Sequence, residues 1–169
     1  MNIAKETAKR STCLCFKTAA VAVKDRRILA TGYNGAPRKT LDCIERGECL
    51  RRKMDVPSGH RYELCRSVHA EMNTIINAAR AGISLDSADL YLYGIRVYNE
   101  DNKETPIHPC FICKKMIINA GIKRVIAHQG GGKMKTFDVE DWVRDWQHKD
   151  MLEDMDIYDS KYHEVKGGA

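Results

Sequence analysis

No stretch of this 169-residue chain is apolar for long enough to span a bilayer. Its first ten residues alternate charge with small side chains, where a secretion signal would carry an apolar block. Membrane insertion and export are therefore not expected, and the expected location is cytoplasmic. There is no internal repeat and no low-complexity tract, which sets aside solenoids and disordered tails. There is no concentrated basic run either: 28 Lys and Arg are dispersed among 23 Asp and Glu, for a net charge of +5. Such a balance suits an anionic small molecule and counts against the continuous electrostatic track that a nucleic acid requires. Seven cysteines are an odd number and come without an export signal, so metal binding or plain burial explains them better than a disulfide framework.

What is present fits one domain over residues 1–169, with an irregular cysteine-containing insertion around 34–65. Residues 1–14 read as a helix, and 18–24 with 27–33 as a hairpin turning at Asp25 and Arg26. Ala70, Met72, Ile75, Ile76 and Ala79 recur at helical spacing over 68–81, and Gly82 supplies a stop. A strand at 89–93, a polar stretch at 96–107, a helix at 109–120 opened by Pro109, and a strand at 123–128 follow. Residues 129–133 read as a flexible loop, and 139–148 as an amphipathic helix whose Trp142 and Trp146 belong in the core. The last residues, 167–169, read as frayed. Alternating strands and helices predict an α/β fold of three layers, a central mixed sheet flanked by helices.

Two short motifs carry the chemistry. His69-Ala70-Glu71 opens one expected helix, and Pro109-Cys110-Phe111-Ile112-Cys113 opens the next. A helix N-terminus favours thiolates, and a spacing of three residues puts both sulfurs on one face. One imidazole and two thiolates fill three corners of a zinc tetrahedron and leave the fourth for water, as a catalytic site requires. Zinc brings that water's pKa to roughly 7, which makes hydroxide available at neutral pH. Glu71 is not needed as a ligand and is placed to carry the proton from water to a leaving amine. In this order, the two motifs form the signature of zinc-dependent nucleobase deaminases. A closed structural zinc site, with Glu71 an ordinary first-turn acid, is the alternative, and would make the chain a zinc-stabilised interaction module.

Between about Ser11 and His128 the chain resembles the deoxycytidylate (dCMP) deaminases of the cytidine deaminase superfamily. The resemblance rests on Gly32-Tyr33-Asn34-Gly35-Ala36-Pro37, on Glu63-Leu64-Cys65-Arg66-Ser67-Val68-His69-Ala70-Glu71, on Ala78-Ala79-Arg80, and on Ile117 through Lys123. It implies a cytidine deaminase-like fold and conversion of dCMP to dUMP and ammonia, feeding thymidylate synthesis. It further implies a sugar contact from Asn34, substrate contact at Ala70, and homo-oligomers, in many relatives hexamers, regulated by dCTP and dTTP. Gly32, Tyr33 and Gly35 would belong to the effector region, and Arg80 to a subunit contact. Two departures bear on the pocket: about fifteen residues separate Tyr93 from Pro109, where many relatives have only a few, and Gln129-Gly130-Gly131-Gly132 replaces a region that carries a tyrosine in familiar members. Deamination of another cytosine nucleotide, or of adenosine or cytosine within a nucleic acid, stays open as an alternative.

Cys13, Cys43, Cys49 and Cys65, with His60 close by, form a second reservoir of soft ligands, and some relatives carry a second, structural zinc there; burial as free thiols is the alternative. Cys15 alternates with the core face. His108, His128, His148 and His163 read as surface or supporting residues, and Arg38, Lys39 and Arg66 as candidate cations for a substrate phosphate.

Overall fold

The computed structural model describes residues 1–57, 60–98 and 102–148. His163 and the end expected to fray at 167–169 lie outside them. The elements run α1 (Asn2–Ala8), β1 (Phe16–Lys24), β2 (Arg27–Tyr33), α2 (Cys43–Arg46), α3 (Leu50–Lys53), a 3-10 turn (Tyr62–Leu64), α4 (Ala70–Arg80), β3 (Asp89–Arg96), β4 (Lys103–Glu104), α5 (Phe111–Asn119), β5 (Arg124–His128), β6 (Met134–Asp138) and α6 (Val139–His148).

Among the described residues the sheet has six strands, five in the order β2-β1-β3-β5-β6 and the sixth, β4, paired off this path with β3. Strands β1, β2 and β3 pair antiparallel, β3 and β5 run parallel, and β6 returns antiparallel to β5. Strand β5 pairs with β3 only up to Leu92, and the short β4 pairs with Ile95 and Arg96 beyond it. The mixed sheet is the expected one, and β1 shows why helices cover both faces. Ala19 and Val21 point into a cluster with Ala4 and Ala8 of α1, whereas Ala20 and Ala22 point into the larger core. That larger core joins Leu90, Leu92 and Val125 to Ala78 of α4, Cys113 and Ile117 of α5, and Trp142 of α6. Small residues at the β1 positions let the helices approach the sheet closely.

Helices α4 and α5, which both pack on the larger core, end in the same way. Gly82 and Gly121 take left-handed φ of 67° and 71°, and the next residue's N–H bonds back five residues, Ile83 to Ala78 and Ile122 to Ile117. This closure satisfies carbonyls that a helix end leaves open and turns the chain into β3 and β5. The parallel arrangement of β3 and β5 follows, because α5 is the crossover between them. Both helix N-termini then lie at the same end of the sheet.

Several expectations shift in detail. The first helix stops at Ala8, since Ser11 turns inward to donate to Asn34 Oδ1 at 2.6 Å and residues 9–15 follow that bond away from the helix axis. Residues 34–65 contain two one-turn helices and the 3-10 turn instead of a featureless loop, and Asp42 with Glu45 forms a capping box on α2. The glycine-rich loop closes a hairpin: Gln129 N donates to Lys133 O at 2.8 Å, and β6 follows.

Candidate functional site

Residues 69 and 110 occupy equivalent places, each the extended residue that caps a core helix (ψ 157° for His69, 165° for Cys110). Glu71 falls at the second position of α4 and Cys113 at the third of α5, so all four side chains leave the first turns of adjacent helices. His69 Nδ1 lies 3.3 Å from Cys110 Sγ and 3.4 Å from Cys113 Sγ. The ligand atoms of the three residues lie within 4.8 Å of one another, and no other three His, Cys, Asp or Glu among the described residues do so. That donor set, one nitrogen and two sulfurs around one point, fits zinc with a coordination position to spare.

The thiols share their charge unequally. The hydrogen bond from Cys113, with His69 beside it, pulls Cys110 down to about 4, and the same contact together with burial pushes Cys113 up. Burial opposes protonation of His69, yet the Cys110 hydrogen bond and the Glu71 charge raise it overall. Glu71 is 6% exposed. Burial pushes its carboxyl above the ordinary carboxylate range, with Cys110 adding to the shift and His69 opposing it. A buried carboxyl that holds a proton more readily than usual is suited to moving one.

His69, Glu71 and Cys110 border a cavity of about 390 Å³, and the fully buried Cys113 lies behind them. Asn34 lines it too, held by three bonds: Oδ1 accepts from Ser11 Oγ (2.6 Å) and Thr18 N (2.8 Å), and Nδ2 donates to Phe16 O (2.8 Å). Gly35 exchanges backbone hydrogen bonds with Val68 (2.8 and 3.2 Å), which fastens the Asn34 loop beside the start of α4. Ala70 is fully buried in the core and does not line the cavity. A second hollow, of about 510 Å³, lies on the other side of the loop and takes in Tyr33, Gly35, Arg38 and Lys39. Gly32 serves packing: a Cβ there would stand 2.4 Å from Thr74 N and 2.6 Å from Ala70 O, so its absence lets α4 rest on β2. Arg80 is exposed near the end of α4.

The segment between β3 and α5, where the chain departs from the pattern it resembles, forms one wall. Thr105, Pro106, Ile107 and His108 border the cavity. Ile107 N donates to His128 O at 3.0 Å, and Gln129 Nε2 donates to Ile107 O at 2.9 Å. His128, 3% exposed, places Nε2 3.3 Å from Glu104 Oε2 and so anchors the strand that leads into this wall.

Other expected residues fall elsewhere. Cys13, Cys43, Cys49, Cys65 and His60 do not gather into a second cluster of metal size. Cys43 sits at the start of α2, where it is buried and hydrogen-bonded with Arg66, while Cys13, Cys49 and Cys65 border the cavity. Cys15, expected on the core face, is half-buried at the cavity and accepts from Arg52 Nε at 2.9 Å. Arg66 is held by Glu48, through the carbonyl (2.7 Å) and Oε1 (3.0 Å). Two cavity residues that motif reasoning missed, Arg51 and Tyr62, come from the irregular segment, where no periodicity marked them.

The profile of the cytidine and deoxycytidylate deaminase zinc-binding region matches residues 1–129. The chain belongs to this deaminase family. It is 34% identical over 128 residues to the deoxycytidylate deaminase of Schizosaccharomyces pombe, covering 76% of this chain but only 35% of that protein's length. It is 37% identical over 131 residues to the deoxycytidylate deaminase of Mycobacterium phage D29, covering 75% of this chain and 88% of that enzyme. The crystal structure of an apo dCMP deaminase from cyanophage S-TIM5 superposes with a TM-score of 0.52 at 27% identity, over 73% of this chain and 75% of that one. Family membership makes the protein a zinc-dependent deaminase, and the cluster of His69, Cys110 and Cys113 supplies the donors that zinc needs. No helix among the described residues is long and apolar enough to cross a membrane.

Proposed function

We propose that this protein hydrolyses dCMP to dUMP and ammonia, with zinc on His69, Cys110 and Cys113 and the proton carried by Glu71. The observation that carries the reading is the convergence of those three donors at two helix N-termini, with His69, Cys110 and the buried carboxyl of Glu71 bordering one cavity and Cys113 packed behind them. Bound there, zinc acts as a Lewis acid that makes water nucleophilic near neutral pH. The protein's own residues do the rest. Glu71 carries both protons of the water that adds to C4 of the pyrimidine, the first to ring N3 and the second to the leaving amino group. Ammonia departs and C4 keeps the oxygen as a carbonyl. Asn34, with its carboxamide plane fixed by three bonds, presents its remaining Nδ2 hydrogen on the cavity side to the sugar.

The same reading takes the hollow beside Tyr33 and Gly35 as the place for regulatory nucleotides such as dCTP and dTTP, where Arg38 and Lys39 supply positive charge. Arg80, exposed near the end of α4, is then available to a subunit contact in a homo-oligomer, a hexamer in the fullest form of the proposal. We place the protein in the cytoplasm, in keeping with seven cysteines that stand as free thiols. A panel of dCMP, dCTP, deoxycytidine, transfer RNA and single-stranded DNA, assayed for ammonia release, tests the substrate. Preferential release from dCMP supports the proposal, and release from nucleic acid with dCMP inert would replace it with a nucleic-acid deaminase.

A further inference from the structure

The geometry points to Arg51 as the residue that recognises the 5′-phosphate of the substrate and so selects nucleotide over nucleoside; this assignment rests on the mononucleotide reading above. Arg51 belongs to the irregular segment, in α3, and among the described residues is the one Lys or Arg that borders the cavity shared by His69 and Glu71. The cations suggested by sequence position are engaged or placed elsewhere, Arg66 on Glu48 and Arg38 and Lys39 in the second hollow.

The side chain of Arg51 is anchored without being neutralised. One Nη2 hydrogen goes to the carbonyl of Pro57 at 2.7 Å, and the residue's own carbonyl accepts from Val56 N at 2.8 Å. No carboxylate among the described residues pairs with it, and its Nε is enclosed without a hydrogen-bond partner. A guanidinium fixed at one corner, with no carboxylate partner among the described residues, keeps its positive charge and its remaining Nη hydrogens for an oxyanion, because two oxygens of one phosphate can bridge the two Nη groups.

Its position relative to the metal donors suits a mononucleotide. The Arg51 guanidinium carbon lies 4.9 Å from the centre of the Tyr62 ring, and that ring meets His69 edge to face, with centroids 5.1 Å apart and planes at 86°. One aromatic ring therefore separates the cation from the metal cluster. The amino end of a cytosine directed at His69, Cys110 and Cys113 sends the sugar toward Asn34 and leaves the phosphate for the wall that carries Arg51. The ring keeps the guanidinium from competing with the metal for the same anion.

The test is the ratio of kcat/KM for dCMP to that for deoxycytidine, measured on zinc-loaded wild type, Arg51→Gln and Arg51→Lys, with inhibition by dUMP and by deoxyuridine as a second readout. Arg51→Gln is expected to lower kcat/KM for dCMP about 10- to 100-fold, mostly through KM, and to weaken dUMP similarly, while deoxycytidine and deoxyuridine are unaffected. Arg51→Lys, which keeps the charge but loses the fork, is expected to fall between, and it carries the test if the glutamine variant does not fold. Equal losses on nucleotide and nucleoside, or no loss on either, would overturn the Arg51 assignment while leaving the deaminase reading intact. Wild type that deaminates deoxycytidine but not dCMP would instead defeat the substrate reading itself.

Discussion

Cys110 Sγ lies 3.3 Å from His69 Nδ1 although the two residues are 41 apart in the chain, because each caps a helix and the two helices start at the same end of one sheet. The clustering of these donors is thus a consequence of how the fold sets α4 beside α5. Residues that perturb only the chemistry should be separable from residues that hold the metal or the framework.

Glu71 belongs to the first kind. Glu71→Gln is expected to keep the fold and the zinc content and to lose about 10²- to 10⁴-fold in turnover, the usual worth of a positioned proton carrier. Ammonia release measured together with metal analysis checks this, and retained activity would remove Glu71 from the proton path.

Cys113 belongs to the second. It is fully buried in the first turn of α5 and packs in the main core. Cys113→Ala should lose zinc and activity together, because removing one of three protein donors collapses the site. Metal analysis showing one equivalent of zinc on the purified variant would contradict the ligand assignment.

Gly32→Ala tests the helix–sheet contact beneath the Asn34 loop. The added methyl meets backbone atoms of α4 at 2.4 and 2.6 Å, and backbone has no rotamer with which to yield. A destabilisation of about 1–3 kcal/mol is expected, read as a lower midpoint in urea at unchanged slope. A midpoint equal to that of wild type would show that α4 moves freely on β2.

These contacts mark how far the sequence was legible. The His69-Ala70-Glu71 and Cys110-to-Cys113 motifs, the hairpin at Asp25 and Arg26 and the helix stops at Gly82 and Gly121 are local signals, and each stands in the structure where its spacing placed it. Strand β6 escaped notice because it is an edge strand with most side chains exposed, so it has no apolar alternation to read. Arg51 and Tyr62 escaped because the segment from 34 to 65 is ordered by caps and by single long-range bonds such as Arg66 to Glu48, which leave no periodic trace. The thiols show the converse: their chemistry suited a metal, and Cys13, Cys49 and Cys65 border one cavity, yet among the described residues they do not form a second set of ligand atoms at metal-binding separations.

A further prediction concerns alkaline pH. Burial, with Glu104 adding, holds the Tyr93 hydroxyl up to about 12, against about 10 for a free tyrosine. A group whose pKa is raised by folding stabilises the fold below its unfolded pKa, and that contribution is lost as pH climbs through the folded value. Stability should therefore fall between about pH 10 and 12, by roughly 2–3 kcal/mol from this residue. Tyr93→Phe keeps the ring and should flatten that part of the profile. An unchanged slope in urea titrations across this range would assign the loss to other groups.

The account turns on zinc held by His69, Cys110 and Cys113 working on dCMP, and the most direct measurement is ammonia release from dCMP by chelator-stripped protein titrated with zinc. Activity is predicted to be absent in the stripped protein, to return in proportion to bound zinc, and to stay absent in zinc-treated Cys113→Ala. Full turnover by the stripped protein, or zinc-loaded wild type that leaves dCMP untouched, would contradict it.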